Sequence, residues 1–201
     1  MIVFICTEGD EAQRKALSGL GVAILTAAPR DGGDYAAKIN WAYSLGESPF
    51  VFTAADDLEF TPGWDERILE VAERTGAGMV GSNDDANPLV KRGRHSTHSL
   101  FSRAYIDTVG GTFHDGPGIV YCEGYKHQYI DAEAVRAAMD RGQWAFARRS
   151  VVRHHHPFYP HKGVKVPMDD TYRKALGDAP FDAALYRERV KAWQRASRVS
   201  H

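Results

Sequence analysis

The sequence predicts an α/β domain built on a mostly parallel sheet flanked by helices, and three observations carry that expectation. Short apolar runs alternate with amphipathic stretches of about ten residues, the rhythm of βαβ units. The runs are apolar at every position rather than at alternate ones, as strands covered on both faces require. Between them cluster glycine, proline, aspartate and asparagine, the chemistry of turns.

Taken in order, Ile2–Cys6 is the first apolar run, and Thr-Glu-Gly-Asp after it turns the chain into a helix over Glu11–Leu20, stopped by Gly19 and Gly21. Val22–Thr26 is the second strand, closed by Pro29-Arg-Asp-Gly-Gly. Tyr35, Ile39, Ala42 and Tyr43 recur at helical spacing before Gly46. Phe50–Ala54 is the third strand, Trp64, Ile68, Val71 and Ala72 mark the next helix, and Gly78–Ser82 is the fourth strand. The rhythm then loosens: residues 83–96 read as a polar loop, and residues 100–109 as a strand end with a short helix. Gly110–Gly124 holds five glycines and a proline, too many for regular structure, and is expected as an ordered substrate loop or a mobile lid. Asp131 is placed to cap a helix through Arg141, with Gly142 as its stop, and Trp144–Val152 reads as a last strand. Beyond Pro157 a stretch rich in proline, histidine and lysine leads to an end helix. Asp182 is its expected cap, Phe181 and Tyr186 its staple, and Tyr186, Val190 and Trp193 its apolar stripe.

At 201 residues and 43% hydrophobic content, the chain buries a core without a disulfide or metal staple. Its net charge of −1 conceals an asymmetry. Residues 141–201 carry 13 Lys+Arg against 5 Asp+Glu and five of the nine histidines, whereas residues 1–140 carry 12 against 21. The expected organisation is a catalytic domain over 1–160 and a basic loop and helix over 161–201 packed on it. No apolar run reaches the roughly 18–20 residues of a membrane span, and the N-terminus lacks the basic and small-residue flanks of a signal peptide. Cys6 and Cys122 fit two unpaired thiols in a reducing compartment, so the chain is expected to be cytoplasmic.

Three constellations can carry chemistry. Asp56 and Asp57 end a strand, where open α/β sheets bind ligands. A carboxylate pair there suits a hard divalent cation, although aspartates before Thr-Pro-Gly also serve as plain turn residues. In Arg153-His154-His155-His156-Pro157, alternation along an extended segment turns His154 and His156 to one side and His155 to the other. Imidazoles in that position suit Mn²⁺ or Zn²⁺, or else form a solvated basic loop. Asp131, after the glycine-rich segment, can act as a general base or simply as a helix cap. Phosphate-binding Gly-x-x-x-x-Gly-Lys, dinucleotide Gly-x-Gly-x-x-Gly and hydrolase Gly-x-Ser-x-Gly patterns are absent.

The order of these pieces resembles glycosyltransferases of the GT-A fold, a Rossmann-like architecture, and in particular the inverting family 2. The likeness runs through Lys38-Ile-Asn40, Phe52-Thr-Ala-Ala-Asp56-Asp57-Leu-Glu-Phe-Thr-Pro62-Gly63-Trp64, Ser102-Arg-Ala-Tyr-Ile-Asp107, Gly110-Gly111, His127-Gln-Tyr-Ile-Asp131-Ala-Glu133 and His154-His-His156-Pro. It spans roughly residues 1–160.

The resemblance implies a nucleotide-sugar donor, most often UDP-linked, held through its diphosphate by Mn²⁺ or Mg²⁺. It places Asp57 at the metal, Asp56 at the middle position of the acidic motif, and His154 or His156 at the ligand completing the site. Asp131 matches the acid that deprotonates the acceptor hydroxyl. Thr7, Glu8 and Gly9 match the nucleobase-side loop, and Arg30 and Lys38 are candidates for the uracil or diphosphate side. Ala55 stands where the family often has a further acid, and only two strands precede Phe50 where the family often has more chain. Such compact forms are typical of phage enzymes, whose acceptor can be a modified DNA base. A nucleotide-binding module without catalysis and a divalent-metal hydrolase or nucleotidyltransferase are the competing readings.

Overall fold

The computed structural model describes residues 2–199. In chain order the elements are β1 (Val3–Thr7), α1 (Glu11–Leu17), β2 (Ala23–Ala27), α2 (Asp34–Ser44), β3 (Phe50–Phe52), β4 (Leu58–Phe60), α3 (Trp64–Thr75) and β5 (Met79–Asn83). They continue with α4 (Pro88–Lys91), β6 (Ser99–Ser102), α5 (Arg103–Val109), α6 (Ile130–Asp140), β7 (Trp144–His154) and α7 (Asp170–Val199). The expected α/β class is present, but the sheet is not mostly parallel. Five strands lie in the order β3-β6-β5-β7-β4, and β1 and β2 pair in parallel as a separate two-stranded ladder. Within the larger sheet only β5 and β7 run parallel; the other three pairings are antiparallel.

Connection chemistry explains the difference. A parallel neighbour needs a crossover that packs an element across the sheet face. The long connection from β5 to its parallel neighbour β7 carries the helices α5 and α6, whereas β6 returns antiparallel beside β5 after a segment whose sole helix is the single turn α4. The strand β7 then serves two neighbours. Its first part pairs with β5 from Trp144 to Ala147, the register breaks after Ser82, and Val152–His154 pair antiparallel with Phe60–Leu58. Such an irregularity bends a strand and increases its twist, which curls the sheet and turns the end of β7 across the turn that follows β3.

The core is in two parts. One face of α6 (Ile130, Ala134, Val135, Ala138) packs on Phe101, Ile106, Tyr121 and Tyr125. Ile68 and Ala72 of α3 pack on Val80, Leu100 and Ala147. The glycine-rich segment has no regular element, as expected, but Val120, Tyr121 and Cys122 are buried, so it is packed structure rather than a free lid. Cys6 and Cys122 are both buried and unpaired. Gly33 takes the left-handed conformation at the start of α2, and a Cβ there would collide with the Glu123 carbonyl oxygen.

Two expected caps are corrected. Tyr129, with φ 66°, precedes α6, and Asp131 lies inside its first turn. The last helix is 30 residues long and contains Pro180, so Asp182 sits within it. Asp182 is fully buried and accepts hydrogen bonds from the backbone N–H groups of Lys126, His127 and Gln128 at 2.7–2.9 Å. An anionic carboxylate satisfying three loop donors gains more than it would at a helix end. The expected staple is likewise absent: Phe181 is half exposed and lies under the Lys126 ammonium. The apolar stripe does pack, Tyr186 stacking on Tyr129 and Trp193 on Phe113. Among the described residues no helix is long and apolar enough to cross a membrane.

Candidate functional site

Antiparallel pairing of β4 with β7 builds the site. With Leu58 opposite His154, the residue before β4 meets the residue after β7, and the His155 N–H donates to the Asp57 carbonyl at 2.9 Å. The side chains then converge. His154 Nε2 stands 3.1 Å from Asp57 Oδ2, and the Tyr172 hydroxyl of α7 donates to the same oxygen at 2.9 Å. Burial opposes ionisation of Asp57, but His154 and Tyr172 outweigh it and bring its carboxyl down to about 2. Its second oxygen, Oδ1, is buried with no hydrogen-bond partner.

The alternation expected of the three histidines holds. The His156 ring lies 5.1 Å from that of His154 and 4.9 Å from that of Tyr172, while His155 turns away toward His161 and Glu59. The Phe158 N–H donates to His156 Nδ1, so His154 alone of the two touches Asp57.

Asp131 borders the same space. Its Oδ1 accepts the Ala132 N–H at 2.8 Å, and its Oδ2 stands 3.2 Å from His95 Nε2. Burial opposes ionisation of Asp131, yet the neighbouring His95 holds its carboxyl below the usual range; burial likewise opposes the charge on His95, whose pKa is nonetheless raised by Asp131. Between the two acids lies His98, 5% exposed, its ring 5.2 Å from that of His154. Burial and then the charge of His154 push His98 down to about 4, while both Asp57 and Asp131 pull it up. Neither ring nitrogen of His98 and not the Tyr35 hydroxyl has a full hydrogen-bond partner, although both sit close to Thr53. Burial raises the Tyr35 pKa. A concentration of unsatisfied buried polar atoms on one wall is the signature of a site shaped for a polar occupant.

The nucleotide-side candidates are brought together in part. Lys38 donates to Thr7 Oγ1 at 2.7 Å and pairs with Asp34. Asp56 is exposed and accepts from Gln13 of α1 at 2.7 Å, which ties the β1–α1 turn to the β3 end. Glu8 and Gly9 lie exposed in that turn, Gly9 at φ 86°. Arg30 pairs with Glu123 at 2.8 Å, and Glu123 also accepts from Asn40 of α2; neither is among the groups bonded to Asp57.

Sequence reasoning missed His95, His98, Tyr35 and Tyr172. The one available signal was His95-Ser-Thr-His98 immediately before an apolar strand, straddling the end of what read as a polar loop over residues 83–96.

The fit to a divalent cation is partial. Asp57 Oδ1, anionic, buried and unpartnered beside an imidazole, suits one. Asp57, His154 and His156 nevertheless do not form a compact three-ligand group; among the described residues that arrangement occurs at Asp84, Asp85 and His161. A cation there would take two ligands from Asp57 and His154 and its remaining ones from a bound ligand's oxygens and water. No protein-family model matches this chain, and no curated protein matches it.

Proposed function

We propose that the protein is a metal-dependent glycosyltransferase that moves a sugar from a nucleotide diphosphate donor, UDP-linked by preference, to a hydroxyl acceptor. The observation that carries this reading is that Asp57 and His154 meet at a strand end while Asp131, also ionised, faces the same polar centre across His98. One acid is placed for a cation and the other for a proton, which is the division of labour glycosyl transfer needs. Asp57 and His154 hold Mn²⁺ or Mg²⁺, which supplies positive charge to the departing diphosphate. Lys38 and Thr7 line the donor side, with Asp56 and the Glu8–Gly9 turn beyond them, and Arg30 is available once released from Glu123. Asp131, kept ionised by His95, takes the acceptor proton, and the pair disperses the charge that results. The buried wall of His98 and Tyr35 excludes water from the reacting centre. Exposed Lys191, Arg195 and Arg198 on one face of α7 favour a polyanionic acceptor such as a modified DNA base in its strand.

Thermal unfolding with UDP, GDP and dTDP, each with and without Mn²⁺, tests the reading. UDP is expected to raise Tm by several degrees only when Mn²⁺ is present, and Asp57→Ala to abolish that gain. Asp131→Asn keeps the gain and lowers transfer by about 10²-fold or more. If none of the three nucleotides stabilises the protein in a metal-dependent way, the proposal is wrong.

A further inference from the structure

We infer that Asp84 and His161 form a second divalent-metal site, oriented by Asp85 and separate from the Asp57 centre. Asp84 and Asp85 follow β5 directly, and His161 comes from the segment between β7 and α7. His161 Nε2 stands 3.2 Å from Asp84 Oδ1, and His161 Nδ1 stands 2.9 Å from Asp85 Oδ1. The Asp84 and His161 side chains are only 6% and 10% exposed.

Two features point to a ligand rather than to a plain ion pair. His161 Nε2 is buried and makes no hydrogen bond, even though a carboxylate oxygen lies 3.2 Å away. With the ring proton on Nδ1, beside Asp85, His161 Nε2 and Asp84 Oδ1 stand as two acceptors in contact, a repulsion that a cation between them relieves; Asp84 Oδ1 also accepts the Ala86 N–H at 3.0 Å. The separation also suits a cation: two ligands on a metal with bonds of about 2.1 Å stand about 3.0–3.4 Å apart. The carboxylate on the far ring nitrogen is the usual partner that fixes the tautomer of a metal-bound histidine.

His155 extends the set. Its ring lies 6.0 Å from that of His161, and its Nδ1 is buried without a partner. Because His154 and His155 point to opposite sides, the strand end divides its imidazoles between the two centres. Mixed imidazole and carboxylate ligands select a first-row divalent ion such as Zn²⁺, Mn²⁺ or Co²⁺ over Mg²⁺ or Ca²⁺. Metal there would pin the segment after β7 to the end of β5.

The test is calorimetric titration of chelator-stripped full-length protein with Zn²⁺ and Co²⁺, without nucleotide. Wild type and Asp57→Asn are expected to bind one ion with similar affinity, His161→Ala at least tenfold more weakly, and Asp85→Asn several-fold more weakly. Bound Co²⁺ should give visible absorption that His161→Ala loses. In wild type alone, nitrogen-15 spectra should show Zn²⁺ moving the His161 Nε2 resonance and leaving Nδ1 protonated, which keeps the proposal testable if a variant does not fold. Equal binding by His161→Ala and wild type, an unmoved His161 resonance, or loss on Asp57→Asn alone would overturn it. Because the readout needs no nucleotide and no transfer, failure of this site and failure of the glycosyltransferase reading are distinguishable.

Discussion

His98 couples the candidate site to pH. The unfolded chain takes up a proton on this imidazole near pH 6.5, while the folded protein resists it down to about 4. Its contribution to stability is therefore intact above pH 6.5 and is lost as pH falls through that window, at up to about 1.4 kcal/mol per unit. Urea midpoints at pH 7 and pH 5 should show a drop in wild type that His98→Gln largely removes. At this scale, legibility followed residue type and placement. Asp57, His154 and Asp131 stand beside recognisable strand and helix ends, so they could be singled out from the sequence. His95 and His98 sit in a polar stretch with no periodicity, and Tyr172 reaches Asp57 from 115 residues away. Contacts of that range leave no local trace.

Among the elements, α7 does more than pack. Tyr172 bonds Asp57, Asp182 holds residues 126–128, and Arg189 pairs with the buried Glu133 of α6. Glu133 is 1% exposed and also accepts from Tyr125 and the Phe113 N–H. Arg189→Ala leaves that carboxylate buried without its counter-charge and should cost about 3–5 kcal/mol in a urea titration. Asp182→Ala strands three backbone N–H groups. About 3 kcal/mol is expected from their desolvation, with faster amide exchange confined to residues 126–128. Neither role was visible beforehand, because Asp182 before Ala-Ala-Leu looks like a helix start and only the buried loop opposite shows otherwise. The strand β4 was missed for a related reason. Leu58-Glu-Phe60 has the alternation of a strand, but three residues inside Asp-Asp…Thr-Pro-Gly read as turn, and only the register with β7 makes them a strand.

For the molecule as a whole, the apolar runs gave the helices and strands their places, while strand direction depended on partners distant in sequence. The charge asymmetry found its structural form too. The acidic first part holds Asp57 and Asp84, and the basic last part supplies His154, His161 and α7 against them, whereas Asp131 is met by His95 of the first part itself. Removing the chain after residue 150 would take away His154, Tyr172 and Asp182 together. Such a truncation should lose UDP-dependent stabilisation along with cooperative unfolding, measured on the same thermal scan.

The two-stranded ladder of β1 and β2 carries a kinetic consequence. Among the described residues its strands pair only with each other, and its ties to the rest run through side chains such as Lys38 to Thr7 and Gln13 to Asp56, together with the Gly33 N–H to Lys126 carbonyl bond. A pair of strands without a third is barely stable in water. Its opening therefore costs less than global unfolding, and the amides of Ile5 and Leu25 should exchange through an opening that leaves those of Val80 and Phe101 protected. The donor side of the proposed site is thereby expected to open before the larger sheet does, and occupancy by a nucleotide would register as a slowing of exchange in that ladder.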